Sequence, residues 1–164
     1  MSSSVERTQI LEPVEDAESI AEDLGRRLEQ LNEIGAALSA ERDIDRLLEN
    51  ILAAAKTITR ADGGTLYRVT AEGLRFEIMR TTSLKYYLGG TSGTPIPFYP
   101  IQLYKEGEPN YTMVAAYAAL TGKTVNIADA YTAEGFDFAG TRAFDAKTGY
   151  RSKSFLTVPM KNHE

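Results

Sequence analysis

The chain has 164 residues, 43% hydrophobic and 25% charged, with a formal net charge of −5. That suits one globular domain plus an extension. It has no cysteine and a single histidine, His163. Disulfides, thiol catalysis, cysteine-type zinc sites, sulfur-linked bilins, histidine metal centres, axial haem ligation and a Ser-His-Asp triad are thereby excluded or left without residues. The charge is uneven: residues 1–60 hold 13 acidic against 7 basic side chains, the remainder 10 against 11. No basic face suggests a nucleic-acid polymer as partner. No apolar run approaches about 18 residues, so no membrane insertion is expected. Met1-Ser-Ser-Ser-Val-Glu-Arg7 lacks the basic head and apolar stretch of a secretory signal. A cytoplasmic location is expected.

Residues 1–16 are Ser-rich, acidic and broken by Pro13, and read as a disordered tail. Residues 17–39 read as an amphipathic helix with Ile20, Leu24, Leu28, Leu31, Ile34 and Leu38 on one stripe. Such a stripe either packs on its own domain or forms a parallel two-helix seam. Leu24, Leu31 and Leu38 share one heptad register, which points to a homodimer through this helix.

Asp43 is placed to cap a second helix, whose Ile44, Leu47, Leu48, Ile51, Leu52, Ala55 and Ile58 form a wide apolar face needing a sheet to cover. Ala61-Asp-Gly-Gly64 closes it. Thr65–Val69 and Leu74–Arg80 alternate around Glu72-Gly73 and predict a hairpin. Tyr86–Pro100, with Gly89-Gly90, Gly93 and three prolines, cannot be regular throughout. A short strand at Ile101–Tyr104, a turn at Glu106–Asn110, a helix at Met113–Leu120, a strand at Val125–Ile127, a short helix near Ala139–Phe144 and a strand at Ser154–Met160 follow. Helices first, then antiparallel strands with short helices inserted, make an α+β domain.

Residues 43–160, so arranged, resemble a GAF domain. The carriers are Asp43-Ile-Asp-Arg-Leu-Leu-Glu-Asn-Ile-Leu52 with Ala61-Asp-Gly-Gly-Thr-Leu-Tyr67, and above all Ala119-Leu-Thr-Gly-Lys-Thr-Val-Asn-Ile-Ala-Asp-Ala-Tyr131 with Phe144-Asp-Ala-Lys-Thr-Gly-Tyr-Arg-Ser-Lys-Ser-Phe-Leu-Thr-Val-Pro-Met160. The likeness is to the cyclic-nucleotide-phosphodiesterase type, nearest to bacterial GAF domains attached to HD-GYP phosphodiesterases. It implies an antiparallel sheet with helices on one face over residues 43–164. It also implies a last strand and helix beyond Glu164, and so an incomplete domain with Thr65–Val69 at an open sheet edge. Leu84–Pro100 has no clear counterpart in the family.

The resemblance further implies a regulatory sensor rather than an enzyme, with no cofactor but a small-molecule ligand such as a cyclic nucleotide. A ligand-free dimerisation and spacing module is the alternative. Methionine sulfoxide reduction, known in some relatives, needs the cysteines this chain lacks. By resemblance the ligand lies between the sheet and the Ala128–Lys153 loop. The amides of Met113, Val114 and Ala115 open a helix and suit a phosphate, unless Asn110 or Thr112 merely caps that helix. Asp145, Thr148 and Ser152 take lid positions. Asp145 could accept from a base or ribose and the two hydroxyls could donate to phosphate, or the group could simply build the turn at Gly149. Asp129 and Asn126 read as loop-fixing residues. Tyr86 and Tyr87 read as insert surface or dimer contact, and Phe136, Phe138 and Phe144 as apolar plugs for the lid.

Overall fold

The computed structural model describes residues 14–161 and divides the chain into two units, Met1–Arg42 and Asp43–Glu164. The expected tail lies outside the described residues except for its last three, and His163 lies outside them as well.

The first unit is helix α1, Val14–Ala40. Ile20, Leu24, Leu28 and Leu31 are each about half exposed or more along its stripe. Asp23 pairs with Arg27 at 2.8 Å and Arg26 at 3.7 Å, surface contacts of small energetic weight.

The second unit opens with α2, Ile44–Thr59. Asp43 is its cap, its Oδ1 accepting from the Arg46 amide at 3.0 Å. The helix closes one residue before the expected Ala61, on Arg60 in the left-handed region at φ 53°. Gly63 and Gly64 are thereby released into strand β1, Gly63–Thr70. Gly64 serves close approach: a Cβ there would stand 2.8 Å from a Leu52 methyl on α2.

Strands β2, Gly73–Thr81, and β3, Tyr86–Gly89, complete a three-stranded antiparallel sheet of order β1-β2-β3. The β1–β2 register slips between Leu66 and Tyr67, because Glu77 is one residue too many. The pleat sends Leu66 and Tyr67 to opposite faces, and the bulge brings Phe76 rather than Glu77 opposite Tyr67. Leu66 and Ile78 pair and pack with Leu52, with Leu48 beside them. Tyr67 and Phe76 pair on the other face.

Three further elements depart from expectation. The first is β3, a strand not separately foreseen at the start of Tyr86–Pro100, a stretch expected only not to be regular throughout. Glu49 of α2 holds it there by accepting from the Arg80 guanidinium, the Thr91 amide and the Thr91 hydroxyl, while Arg80 also donates to the Leu88 carbonyl. Second, the Ile101–Tyr104 strand resolves into a single bridge from Ile101 to Leu74 and a two-residue β4, Tyr104–Lys105, paired with β5, Glu108–Pro109. Third, the last strand contracts to β7, Phe155–Thr157, paired only with the three residues of β6, Val125–Ile127. Pro159 has no N–H with which to extend that ladder. The strands thus form three separate ladders. Among the described residues β1 is an edge strand, as expected, and Val69 on it is exposed.

Helix α3, Val114–Thr121, covers β6 and β7. Ala118, Val125, Ile127, Ala130 and Phe138 form a second core, joined by Tyr117, Phe136 and Phe155. Helix α4, Ala139–Thr148, runs four residues beyond expectation and stops on left-handed Gly149. Among the described residues no helix is long and apolar enough to cross a membrane.

Candidate functional site

The face of the sheet opposite α2 carries a connected set of rings. Tyr67 meets Phe76 at 4.8 Å between ring centres, and Phe76 meets Phe98 at 5.4 Å. Phe98 meets Phe144 of α4 at 6.3 Å. Phe144 also meets Tyr86 of β3 at 6.3 Å and Tyr150 at 6.4 Å. These separations and tilts suit aromatic pairs. Burial pushes the Tyr67 hydroxyl up to about 12. Helix α4 therefore lies over a ring-lined sheet face with Phe144 as its contact.

Two carboxylates hold α4 in that position. Asp145 is almost fully buried. Its Oδ2 accepts from the Tyr131 hydroxyl and the Ser152 amide, and its Oδ1 from the Ser152 hydroxyl, all at 2.8 Å. Burial alone would raise its pKa. The donors on Ser152 and Tyr131, with the Arg151 charge nearby, outweigh burial and hold the carboxyl below the usual aspartate range. Tyr131 is pushed up, first by its bond to Asp145 and then by burial, so it stays a donor at neutral pH. The Arg151 guanidinium lies 3.5 Å from the centre of the Tyr131 ring and 3.6 Å from Asp129. Arg142 approaches the same ring at 5.9 Å.

The second carboxylate is Asp62, at the α2–β1 junction. It accepts from the Ser83 amide at 3.0 Å, the Ser83 hydroxyl at 2.6 Å and the Tyr150 hydroxyl at 2.9 Å. The Ser83 hydroxyl is the main reason its pKa is lowered, with burial opposing and Tyr150 assisting. Burial, then the bond to Asp62, lifts Tyr150 to about 12. One end of α4 is thus latched to its own loop and tied to the α2–β1 junction by a bond spanning 88 residues.

The sequence-derived candidates fall into two groups. Asp145 and Ser152 come together and bond to each other. Thr148 sits beside them, its hydroxyl donating to the Phe144 carbonyl at 2.8 Å. All three therefore have partners within the loop. Met113, Val114 and Ala115 stand at the start of α3, and among the described residues no hydrogen bond joins them to the Asp145 group. Met113 is the N-cap and no side chain caps the helix. Asn110 and Thr112 are engaged elsewhere: Thr112 donates to the Asn110 side chain, and Asn110 donates to the Gln102 carbonyl. The capping alternative for those two residues is thereby set aside.

Asp129 fixes its loop, its Oδ1 accepting from the Tyr131 amide at 2.9 Å. Phe138 is buried in the second core and Phe136 packs against it. Tyr86 turns inward to Phe144 rather than lying on the insert surface, whereas Tyr87 is exposed beneath Arg80. Asp62, Ser83, Tyr131, Tyr150, Phe76 and Phe98 were not foreseen as site residues. The tyrosines beside the loop's basic residues were the available signal for part of this set.

Residues 43–164 match the GAF domain family. The chain belongs to that family. Comparison with curated proteins gives no significant match. GAF domains are regulatory modules that bind small molecules and are generally not catalysts, which fits a domain whose most developed feature is a latched helix over an aromatic face. Among the described residues no cluster of three or more His, Cys, Asp or Glu side chains could hold a metal ion.

Proposed function

We propose that this GAF domain is the sensor of a cytoplasmic bacterial signalling protein. It binds a cyclic nucleotide between the ring-lined sheet face and α4, and it controls an attached output domain such as an HD-GYP phosphodiesterase. Any catalysis belongs to that output domain. The observation that supports this most is the latch: α4 touches the aromatic array through Phe144 and is held by discrete, reversible bonds at Asp145 and Tyr150. A ligand that prefers one latch state biases the helix between two positions. Coupling of about 1–3 kcal/mol is the usual scale. Arg142, Lys147, Arg151 and Lys153 against Asp145 give the loop a positive balance suited to an anion. The uncapped first turn of α3 at Met113, Val114 and Ala115 is a second place for phosphate oxygens. Calorimetry of the full chain with cyclic AMP, cyclic GMP and cyclic di-GMP tests the proposal. Saturable binding of one of them, with a rise in melting temperature, is expected; no binding by any overturns the nucleotide assignment.

A ligand-free dimerisation module is the second reading. The observation favouring it is that Asp145, Thr148 and Ser152 have their polar atoms engaged by one another and by the loop backbone. Both readings share a homodimer through α1, whose exposed Leu24 and Leu31 lie one heptad apart. The double variant Leu24→Lys, Leu31→Lys places like charges on that seam. By sedimentation equilibrium it is expected to shift the protein from dimer to monomer, and a dimer of unchanged affinity would remove the seam.

A further inference from the structure

We propose that Phe98 is a displaceable occupant of a ring site, so that the slot between Phe76 and Phe144 takes a planar aromatic or heteroaromatic group once Phe98 leaves. This rests on the reading that ligand enters between the sheet and α4.

Phe98 differs from every other member of the array in how it is held. Tyr67, Phe76, Tyr86 and Phe144 sit on β1, β2, β3 and α4, and Tyr150 is pinned by Asp62. Phe98 sits on a strap that leaves the sheet at Gly89 and rejoins it at Ile101. The Gly89 amide donates to the Thr94 carbonyl at 2.7 Å, and Ile101 exchanges two backbone bonds with Leu74 at 2.8 and 2.9 Å. Between those anchors no hydrogen bond joins residues 95–100 to any of the described residues, and Pro95, Pro97 and Pro100 have no N–H to offer. The Phe98 ring meets Phe76 and Phe144, and the residue is still 41% exposed.

Its location gives the strap a role. Phe98 contacts the sheet through Phe76 and the lid through Phe144, so it fills the junction that a ligand between sheet and lid must enter. A ring leaving that junction exposes two further rings, which a planar group re-covers with the same edge and face contacts. A saturated group of the same size lacks the ring quadrupole and fits them less well. Tyr99, next along the strap and 93% exposed, already faces solvent, so the strap has open space on its outer side.

The chain has no tryptophan, so Phe98→Trp in the full chain gives a single reporter. Its emission is expected to be partly shielded from acrylamide without ligand, in keeping with the 41% exposure of Phe98. Benzyl alcohol should shift it to the red and make it more quenchable, saturably, with cyclohexylmethanol at least fivefold weaker. Independently, Phe98→Ala is expected to bind benzyl alcohol at least tenfold more tightly than the parent, read from NMR shifts of the Phe76 and Phe144 rings. The proposal is overturned if the indole is fully quenchable without ligand, or if benzyl alcohol leaves its emission unchanged. Equal affinity of Phe98→Ala and the parent also overturns it. Should Phe98→Ala fail to fold, the tryptophan emission decides alone. Displacement by benzyl alcohol with no response to any cyclic nucleotide keeps the slot and removes the nucleotide assignment; the reverse outcome does the opposite.

Discussion

Replacing Asp145 with alanine is expected to destabilise the GAF domain by about 2–4 kcal/mol at neutral pH, the scale of losing charge-assisted hydrogen bonds at a buried acceptor. The carboxylate is 3% exposed and accepts three bonds. Alanine leaves the Tyr131 hydroxyl, the Ser152 amide and the Ser152 hydroxyl without their acceptor. Asn keeps the shape but turns an acceptor into a donor facing donors, so Asp145→Asn should cost nearly as much. Urea denaturation measures both. The pH dependence has a definite sign. The folded carboxyl lies below its unfolded value of about 3.9. Its contribution is therefore fully present above that value and is lost as pH falls through the lower folded one. The parent should lose stability across this acid window more steeply than Asp145→Ala. Hydrogen exchange over residues 139–152 should accelerate in the variant at pH 7 while α2 stays protected. A loss under 0.5 kcal/mol would mean that the latch does not hold the helix.

Gly89→Ala is expected to cost about 3 kcal/mol or more, from a backbone region essentially reserved for glycine together with a steric clash. Gly89 has φ 68° and ψ −172° and pairs with Ile78 on β2. A Cβ at this position would fall on the Glu77 carbonyl oxygen and within 2.8 Å of an Ile96 methyl. The backbone must move, and β3 and the strap carrying Phe98 must move with it. Gly93→Ala is the control. Gly93 has φ 67° with open space around its Cβ position, so only the conformational cost of about 1 kcal/mol applies. Thermal unfolding should rank the two variants clearly. Equal melting temperatures would show that β3 is not fixed at its Ile78 pairing.

These effects indicate what could be read from the residues alone. Asp43 as cap, the hairpin around Glu72-Gly73 and the left-handed conformation of Gly149 are local, set by side chains within a few positions, and they stand where the pattern puts them, although the helix before Gly149 is longer than expected. Strand β3 is set from a distance. Tyr86–Gly89 lies among glycines and becomes a strand because Arg80 and Glu49 hold it from β2 and α2. The inward turn of Tyr86 follows from the same anchoring. On the candidate site, the proximity of Asp145, Thr148 and Ser152 follows from one helix end and its turn. The bond from Tyr150 to Asp62 does not, since nothing in either neighbourhood marks a partner 88 residues away. The ring array is likewise assembled from three strands, a strap and a helix. Only its lid member, Phe144, carried a recognisable apolar role in the sequence.

Hydrogen exchange of the full chain with saturating cyclic AMP, cyclic GMP or cyclic di-GMP shows whether a nucleotide settles between the ring-lined sheet face and α4. One of them is expected to slow exchange in residues 139–152, the latched helix, and in β3, residues 86–89, while the strap at 95–100, which carries the departing Phe98, gains no protection and the Leu48–Leu52 turn of α2 is unchanged. Unchanged exchange with all three, or protection confined to segments outside β3 and α4, would contradict this.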